Sequence, residues 1–206
     1  RSHPTAKLSD LPSETISSLQ RKKPVFSTYP IDLAPKDTIM LPWGLVYEMI
    51  PRTAIPTKEV YYREVEDKLR KLKTIRKEAL PPSESNLVAA EIPGIYASGL
   101  VRIGDFMDSY YHDPVLAEHY YRRALWLDPE HPNAYSGLAL VQYKASKDCN
   151  QAPINMKSAI ALYPVWKTYY VQLYLIYQGC NASQQTLDAL DNEYKTLFHE
   201  DLKELL

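Results

Sequence analysis

The feature that most constrains this chain is a match of the sequence to itself at an offset of 35 residues. Tyr121-Arg122-Arg123-Ala124-Leu125-Trp126-Leu127-Asp128-Pro129 aligns with Met156-Lys157-Ser158-Ala159-Ile160-Ala161-Leu162-Tyr163-Pro164, and Ala117 aligns with Ala152 upstream. Each unit reads as an alanine, a large apolar residue four positions on, an alanine three further and a proline five beyond that. In the preceding segment Tyr135 matches Tyr170 and Leu138 matches Leu173, with Leu100 and Ile103 in those places one step earlier. A repeat of this length is one supersecondary unit that buries its apolar face against its neighbours. Ala117, Ala124, Ala152 and Ala159 permit helices to approach closely, and Tyr121 and Met156 fill the gaps between them. Pro129 and Pro164 lack the N–H that would continue a helix, so they end the second helix of each unit.

The two Ala-to-Pro segments resemble the tetratricopeptide repeat (TPR), a helix–turn–helix unit of about 34 residues with small residues where its helices cross. The resemblance spans residues 96–198. It implies a mainly α protein: a TPR-like solenoid of helical hairpins, preceded by an irregular, Pro-rich N-terminal segment that holds up to two strands. Helices are expected over 84–111, 114–127, 132–147, 151–163, 165–179 and 183–198, with a further helical turn in 199–206. The extra residue per unit departs from the family and is expected in a turn. Leu187, Leu190, Tyr194 and Leu197 form an apolar stripe without the Ala-to-Pro signature, as suits a capping helix.

The first part of the chain has a different texture. Eight prolines between Pro4 and Pro56 deny residues 1–56 a long helix. Ser9-Asp10-Leu11-Pro12 reads as the start of a short helix to about Gln20. Pro24–Tyr29 and Trp43–Ile50 allow two short strands or an extended arm. Residues 57–80 read as an amphipathic helix, with Val65, Leu69, Leu72 and Ile75 on its apolar stripe. Its polar face carries Lys68, Arg70, Lys71, Lys73, Arg76 and Lys77, either a solvated face or a surface for acidic headgroups or an acidic partner. The expected organisation is thus an arm or small β element over 1–56, a basic-faced helix over 57–80, and repeats with a capping helix over 84–206.

A second resemblance rests on Arg21-Lys22-Lys23-Pro24-Val25-Phe26-Ser27-Thr28-Tyr29-Pro30 followed by Leu41-Pro42-Trp43-Gly44-Leu45-Val46-Tyr47-Glu48-Met49-Ile50-Pro51. This is similar to the segment after the last membrane span of large multipass glycosyltransferase-like proteins, though Lys23 stands where that family often has arginine. The similarity carries no catalytic motif. It implies a C-terminal soluble domain on the extracytoplasmic side, tethered to a membrane in the full-length protein.

Catalytic chemistry is poorly represented. Six glycines include no phosphate-cradling run, and no nucleophile elbow occurs. His3, His112, His119, His131 and His199 never take a metal-ligand spacing, so no metal or other cofactor is expected. Asp105 and Asp108 share a helix face, which suits a carboxylate pair but reads more simply as solvated polarity. Cys149 and Cys180 lie 31 residues apart, not 35, so they are not equivalent in the repeat; a disulfide and two free thiols both remain open. Asn181-Ala182-Ser183 is a glycosylation sequon in an expected turn.

The net charge of −1 removes the electrostatic case for nucleic acid, although it is unevenly spread. Residues 1–90 hold 15 Lys/Arg against 11 Asp/Glu, and residues 91–206 hold 9 against 14. No window approaches the ~18 apolar residues of a membrane span. Thirteen of the 17 tyrosines lie between Tyr96 and Tyr194, where they serve both as core fillers and as amphipathic contact groups. Tyr143, Tyr174 and Tyr177 are expected along the concave face. The expectation is therefore a non-catalytic protein-interaction scaffold with a protein or peptide segment as partner, its own membrane-embedded parent included. Arg122, Arg123, Tyr143, Lys144 and Tyr177 are its candidate contacts. An accessory domain of a membrane glycosyltransferase that aids acceptor or glycan recognition is the alternative.

Overall fold

The computed structural model describes residues 24–28, 36–71 and 87–205. The protein is mainly helical and carries a small three-stranded antiparallel sheet. The chain divides into two compact units, of which the described parts are residues 24–71 and residues 87–205. Among the described residues no helix is long and apolar enough to cross a membrane.

In the first unit β1 (Val25–Ser27), β2 (Thr38–Pro42) and β3 (Tyr47–Pro51) form a sheet in the order β1-β3-β2. The expected second strand starts later than Trp43, because residues 43–46 make the β2–β3 turn. Gly44 takes φ +88° at the first central position of that turn, a conformation that glycine adopts without strain. Thr38–Pro42 is a third strand, beyond the two expected. Its proline is tolerated because β2 is an edge strand and Pro42 is its last residue. The helix α1 (Lys58–Lys71) shares a core with the sheet: Leu41, Met49, Tyr61 and Val65 are all buried. The Tyr61 hydroxyl donates to the Pro42 carbonyl, and Trp43 lies 5.2 Å from the Tyr61 ring. On the exposed side Lys68 sits 3.5 Å above the Trp43 ring, while Lys71 pairs with Asp67 at 2.6 Å. Leu72, Lys73, Ile75, Arg76 and Lys77, and the helix expected from Ser9, lie outside the described residues.

The second unit holds α2 (Leu87–Ser109), α3 (Pro114–Leu127), α4 (Pro132–Ser146), α5 (Gln151–Leu162), α6 (Lys167–Gly179) and α7 (Gln184–Phe198). Each helix packs on the next, and α2 also meets α4 as α4 meets α6. Ala117, Ala124, Ala152 and Ala159 are fully enclosed, and so are Tyr121 and Met156 between them. The ends of α3 and α5 also match: the Asp128 N–H donates to Ala124 O at 2.8 Å and the Tyr163 N–H to Ala159 O at 3.0 Å. Pro129 and Pro164 follow immediately, in the turns to α4 and α6. Leu100, Ile103, Leu138, Tyr170 and Leu173 are buried, and Tyr135 packs against the cluster that holds Tyr170 and Leu173.

The last helix corrects one expectation. Leu187, Leu190 and Tyr194 face the core, but Leu197 is 50% exposed. Phe198 takes the inward place, 4.6 Å from the Tyr194 ring. After α7 the chain folds back into a 3-10 turn, Leu202–Leu205. Leu202 is buried and its N–H donates to the Asp191 carboxylate at 2.9 Å.

Candidate functional site

The helices α2, α4 and α6 present side chains to one another at a constant spacing of 36 residues. Lys144 Nζ reaches Asp108 at 2.5 Å, Ser136 Oγ donates to Gln172 Oε1 at 2.9 Å, and the Tyr169 hydroxyl donates to Asn133 Oδ1. This spacing is one longer than the sequence repeat, because a residue meets the neighbour of its equivalent on the adjacent helix. Along these helices runs a groove of about 410 Å³, lined by Asp105, Tyr121, Ser136, Gly137, Tyr169 and Gln172 among others. At one end it shares Asn133, Trp166 and Tyr169 with a cavity of about 240 Å³ that Pro132 and Tyr163 complete. Trp166 is 50% exposed there, with its ring 6.2 Å from that of Tyr163.

Tyr121 organises the groove floor. Its ring lies so close to the backbones of Gly104 and Gly137 that a Cβ on either would stand 2.8 or 2.5 Å from it. Two glycines on adjacent helices thus form the slot that admits the ring, and its hydroxyl emerges to donate to Asp105 at 2.7 Å. Burial pushes the Tyr121 phenol far above its ordinary range, and the Asp105 charge adds to this. Asp105 is reached by solvent, yet crowding by the groove walls raises its carboxyl above the usual range, against the Tyr121 bond and with help from Asp108. Burial likewise pushes Tyr169 up to about 12. The phenols therefore stay protonated and act as hydrogen-bond donors.

No protein-family model and no curated protein matches the chain.

Among the described residues no lysine, arginine or histidine lines either cavity. Asp108 is neutralised by Lys144, which leaves amides, hydroxyls, one carboxyl and two half-exposed rings facing the space. Such a surface suits a neutral or weakly basic extended ligand with donors and acceptors along it. Asp105 and Asp108 each bond a different neighbour, Tyr121 and Lys144. Among the described residues no cluster of three His, Cys, Asp or Glu could hold a metal ion.

Of the five candidate contact residues, Lys144 stands at the groove through its pairing with Asp108, and the other four lie elsewhere. Arg122 pairs with Glu118 at 2.6 Å on the surface of α3, and Arg123 lies 5.7 Å from the Tyr120 ring. Tyr143 carries Lys147 4.1 Å above its ring, and its hydroxyl packs against Gly179, where a Cβ would overlap it. Tyr174 and Tyr177 are buried in the core shared by α5, α6 and α7, so neither lines the concave groove. Tyr177 borders a separate cavity of about 570 Å³ next to Lys157 and Glu193. The tyrosines that do line the groove are Tyr121 and Tyr169. Cys149 and Cys180 are joined in a disulfide, with their Cα atoms 5.6 Å apart, and this ties the end of α6 to the α4–α5 turn.

Proposed function

We propose that the chain is a non-catalytic interaction module: residues 96–198 form a TPR-like helical solenoid, and the groove on α2, α4 and α6 holds an extended segment of a partner protein. The observation that carries this reading is the polar ladder Asn133–Tyr169 and Ser136–Gln172, which repeats at a fixed spacing along the groove. Side-chain amides offer a donor and an acceptor together, as a peptide backbone does, and these are held in place before any ligand arrives. Support for the repeat comes from the equal burial of Ala124 with Ala159 and of Tyr121 with Met156, and from the matching helix ends at Asp128 and Tyr163. Fold likeness alone does not give function, so the reading rests on the site.

The test is a peptide-array screen followed by titration of the intrinsic fluorescence of Trp166 in a chain whose Trp43 and Trp126 are replaced by phenylalanine. The reading expects a bound peptide whose affinity falls at least roughly tenfold in Asn133→Ala or Gln172→Ala, a loss of about 1.4 kcal/mol. Equal affinity in both variants sinks it.

A second reading has specific support: an extracytoplasmic accessory domain of a multipass glycosyltransferase. A disulfide belongs to an oxidising compartment, and the exposed Trp166 and Tyr163 rings beside neutral amides suit the apolar face and hydroxyls of a sugar. Immunoblotting of fractionated cells separates the two. A membrane band several times heavier than 23.7 kDa favours the second, and a soluble band near 23.7 kDa removes it.

A further inference from the structure

His131 occupies the N-cap of α4, a position usually held by Ser, Thr, Asp or Asn. Its ring is buried at the seam between α2 and α4. The Ala134 N–H is shared between the His131 carbonyl at 3.2 Å and Nδ1 at 3.3 Å, so that nitrogen carries a lone pair and no proton. The neutral ring must then hold its proton on Nε2, which lies 2.9 Å from Ser98 Oγ. Ser98 in turn has its own proton free, and donates it to the Gly94 carbonyl at 2.8 Å. With the proton on Nε2, every link from the Ala134 N–H through His131 and Ser98 to Gly94 O is satisfied at once. A second proton on the ring would place Nδ1–H against the Ala134 N–H, donor facing donor.

From these contacts we infer that His131 is a proton switch: charging it removes the side-chain cap of α4 and loosens the first turn of that helix, which carries Asn133 of the groove. The inference concerns the seam itself and holds whatever the groove binds. The groups that face the ring are the Ser98 hydroxyl and, beyond it, the Gly94 carbonyl from α2, the Ala134 N–H from α4, the Asp128 carboxylate from the α3–α4 turn, and the backbone of His131 itself, which also favours the charged ring. Asp128 is the charged group among these and favours the charged ring, but its carboxylate also accepts the Glu130 N–H at 3.1 Å. Burial outweighs its pull and holds the imidazole below its ordinary range. A group depressed in the fold contributes stability that is fully present above its unfolded value of about 6.5 and is lost as pH falls through the folded value. At the equivalent place before α6, Trp166 makes no side-chain cap, so the switch belongs to one seam of the two.

The test is an NMR titration of the full chain with labelled histidine, together with amide exchange at Ala134. The inference expects the Nε2–H tautomer at pH 7.5 and a midpoint below about 6.5. It also expects the Ala134 protection factor to fall across that midpoint, because charging the ring takes away one of the two acceptors of that N–H. His131→Asn keeps a strong cap without a titrating group. Its protection at Ala134 stays level with pH, and its loss of melting temperature between pH 7.5 and 5.5 is smaller than that of the parent by roughly 2–4 °C. Should that variant not fold, Ser98→Ala removes the acceptor of Nε2–H, and the tautomer bias of His131 falls toward that of a free imidazole. An Nδ1–H tautomer at pH 7.5, constant Ala134 protection in the parent, or equal melting losses in parent and His131→Asn would each overturn the switch.

Discussion

The α3–α4 and α5–α6 hairpins occupy the same register, yet they are fastened by different chemistry. Both close over fully buried alanines, Ala117 and Ala124 in one and Ala152 and Ala159 in the other. Between them the first hairpin places a tyrosine in a slot of two glycines and anchors its hydroxyl on Asp105. The second places Met156 there, an adaptable side chain without a polar anchor. The first enters its next helix through a capping histidine, and the second through Trp166, whose ring is left half-exposed at the groove. The second has a covalent tie instead, since Cys149 and Cys180 brace the far ends of α4 and α6. The difference separates what the two hairpins share, small residues at the helix crossings, from what each seam solves in its own way.

That contrast can be broken from either side. The largest expected effect is on the covalent side: Cys149→Ser with Cys180→Ser opens a loop of 31 residues and should cost about 3–4 kcal/mol in chemical denaturation. Reducing agent should destabilise the parent equally and leave the double variant unmoved. On the side that both hairpins share, Ala124→Leu and Ala159→Leu should each cost roughly 1–3 kcal/mol by overpacking the helix crossing. Gly137→Ala tests the glycine slot, which only the first hairpin has. The added methyl meets the Tyr121 ring 2.5 Å away, so a loss of about 1–3 kcal/mol is expected unless the ring is also cut back, as in Gly137→Ala with Tyr121→Leu. The smallest effects compare the two fillers. Tyr121→Phe forfeits one hydrogen bond, about 1 kcal/mol, whereas Met156→Leu should cost less than about 1.5 kcal/mol and show no dependence on Asp105.

The helical half was largely legible because its pattern follows from contact geometry. A helix crossing tolerates little more than alanine, and a proline follows the first helix of each of these hairpins, so the residues at 117, 124, 129, 152, 159 and 164 mark the register. The groove was not legible in the same way. Asn133, Ser136 and Gln172 belong to no sequence motif, and the signal that joins them is a spacing of 36 across neighbouring helices, visible only after the helices are placed. Gly104 and Gly137 have no equivalents at the repeat offset, since Ala139 and Gln172 stand there. His131 as a lone histidine at a helix start carries no signature of its partners 33 residues upstream. In the first unit the missing strand was hidden by Pro42, whose harmlessness depends on the edge position of β2.

Thermal unfolding of three leucine variants, read side by side, tests the shared register most directly. Ala124 and Ala159 are enclosed, while Ala161, two residues further along α5, is exposed. The account predicts that Ala124→Leu and Ala159→Leu both lower the melting temperature, by roughly 2–4 °C for each kcal/mol lost, and that Ala161→Leu leaves it unchanged. A melting temperature that holds in Ala159→Leu, or falls as far in Ala161→Leu, would contradict the repeat on which the groove is built.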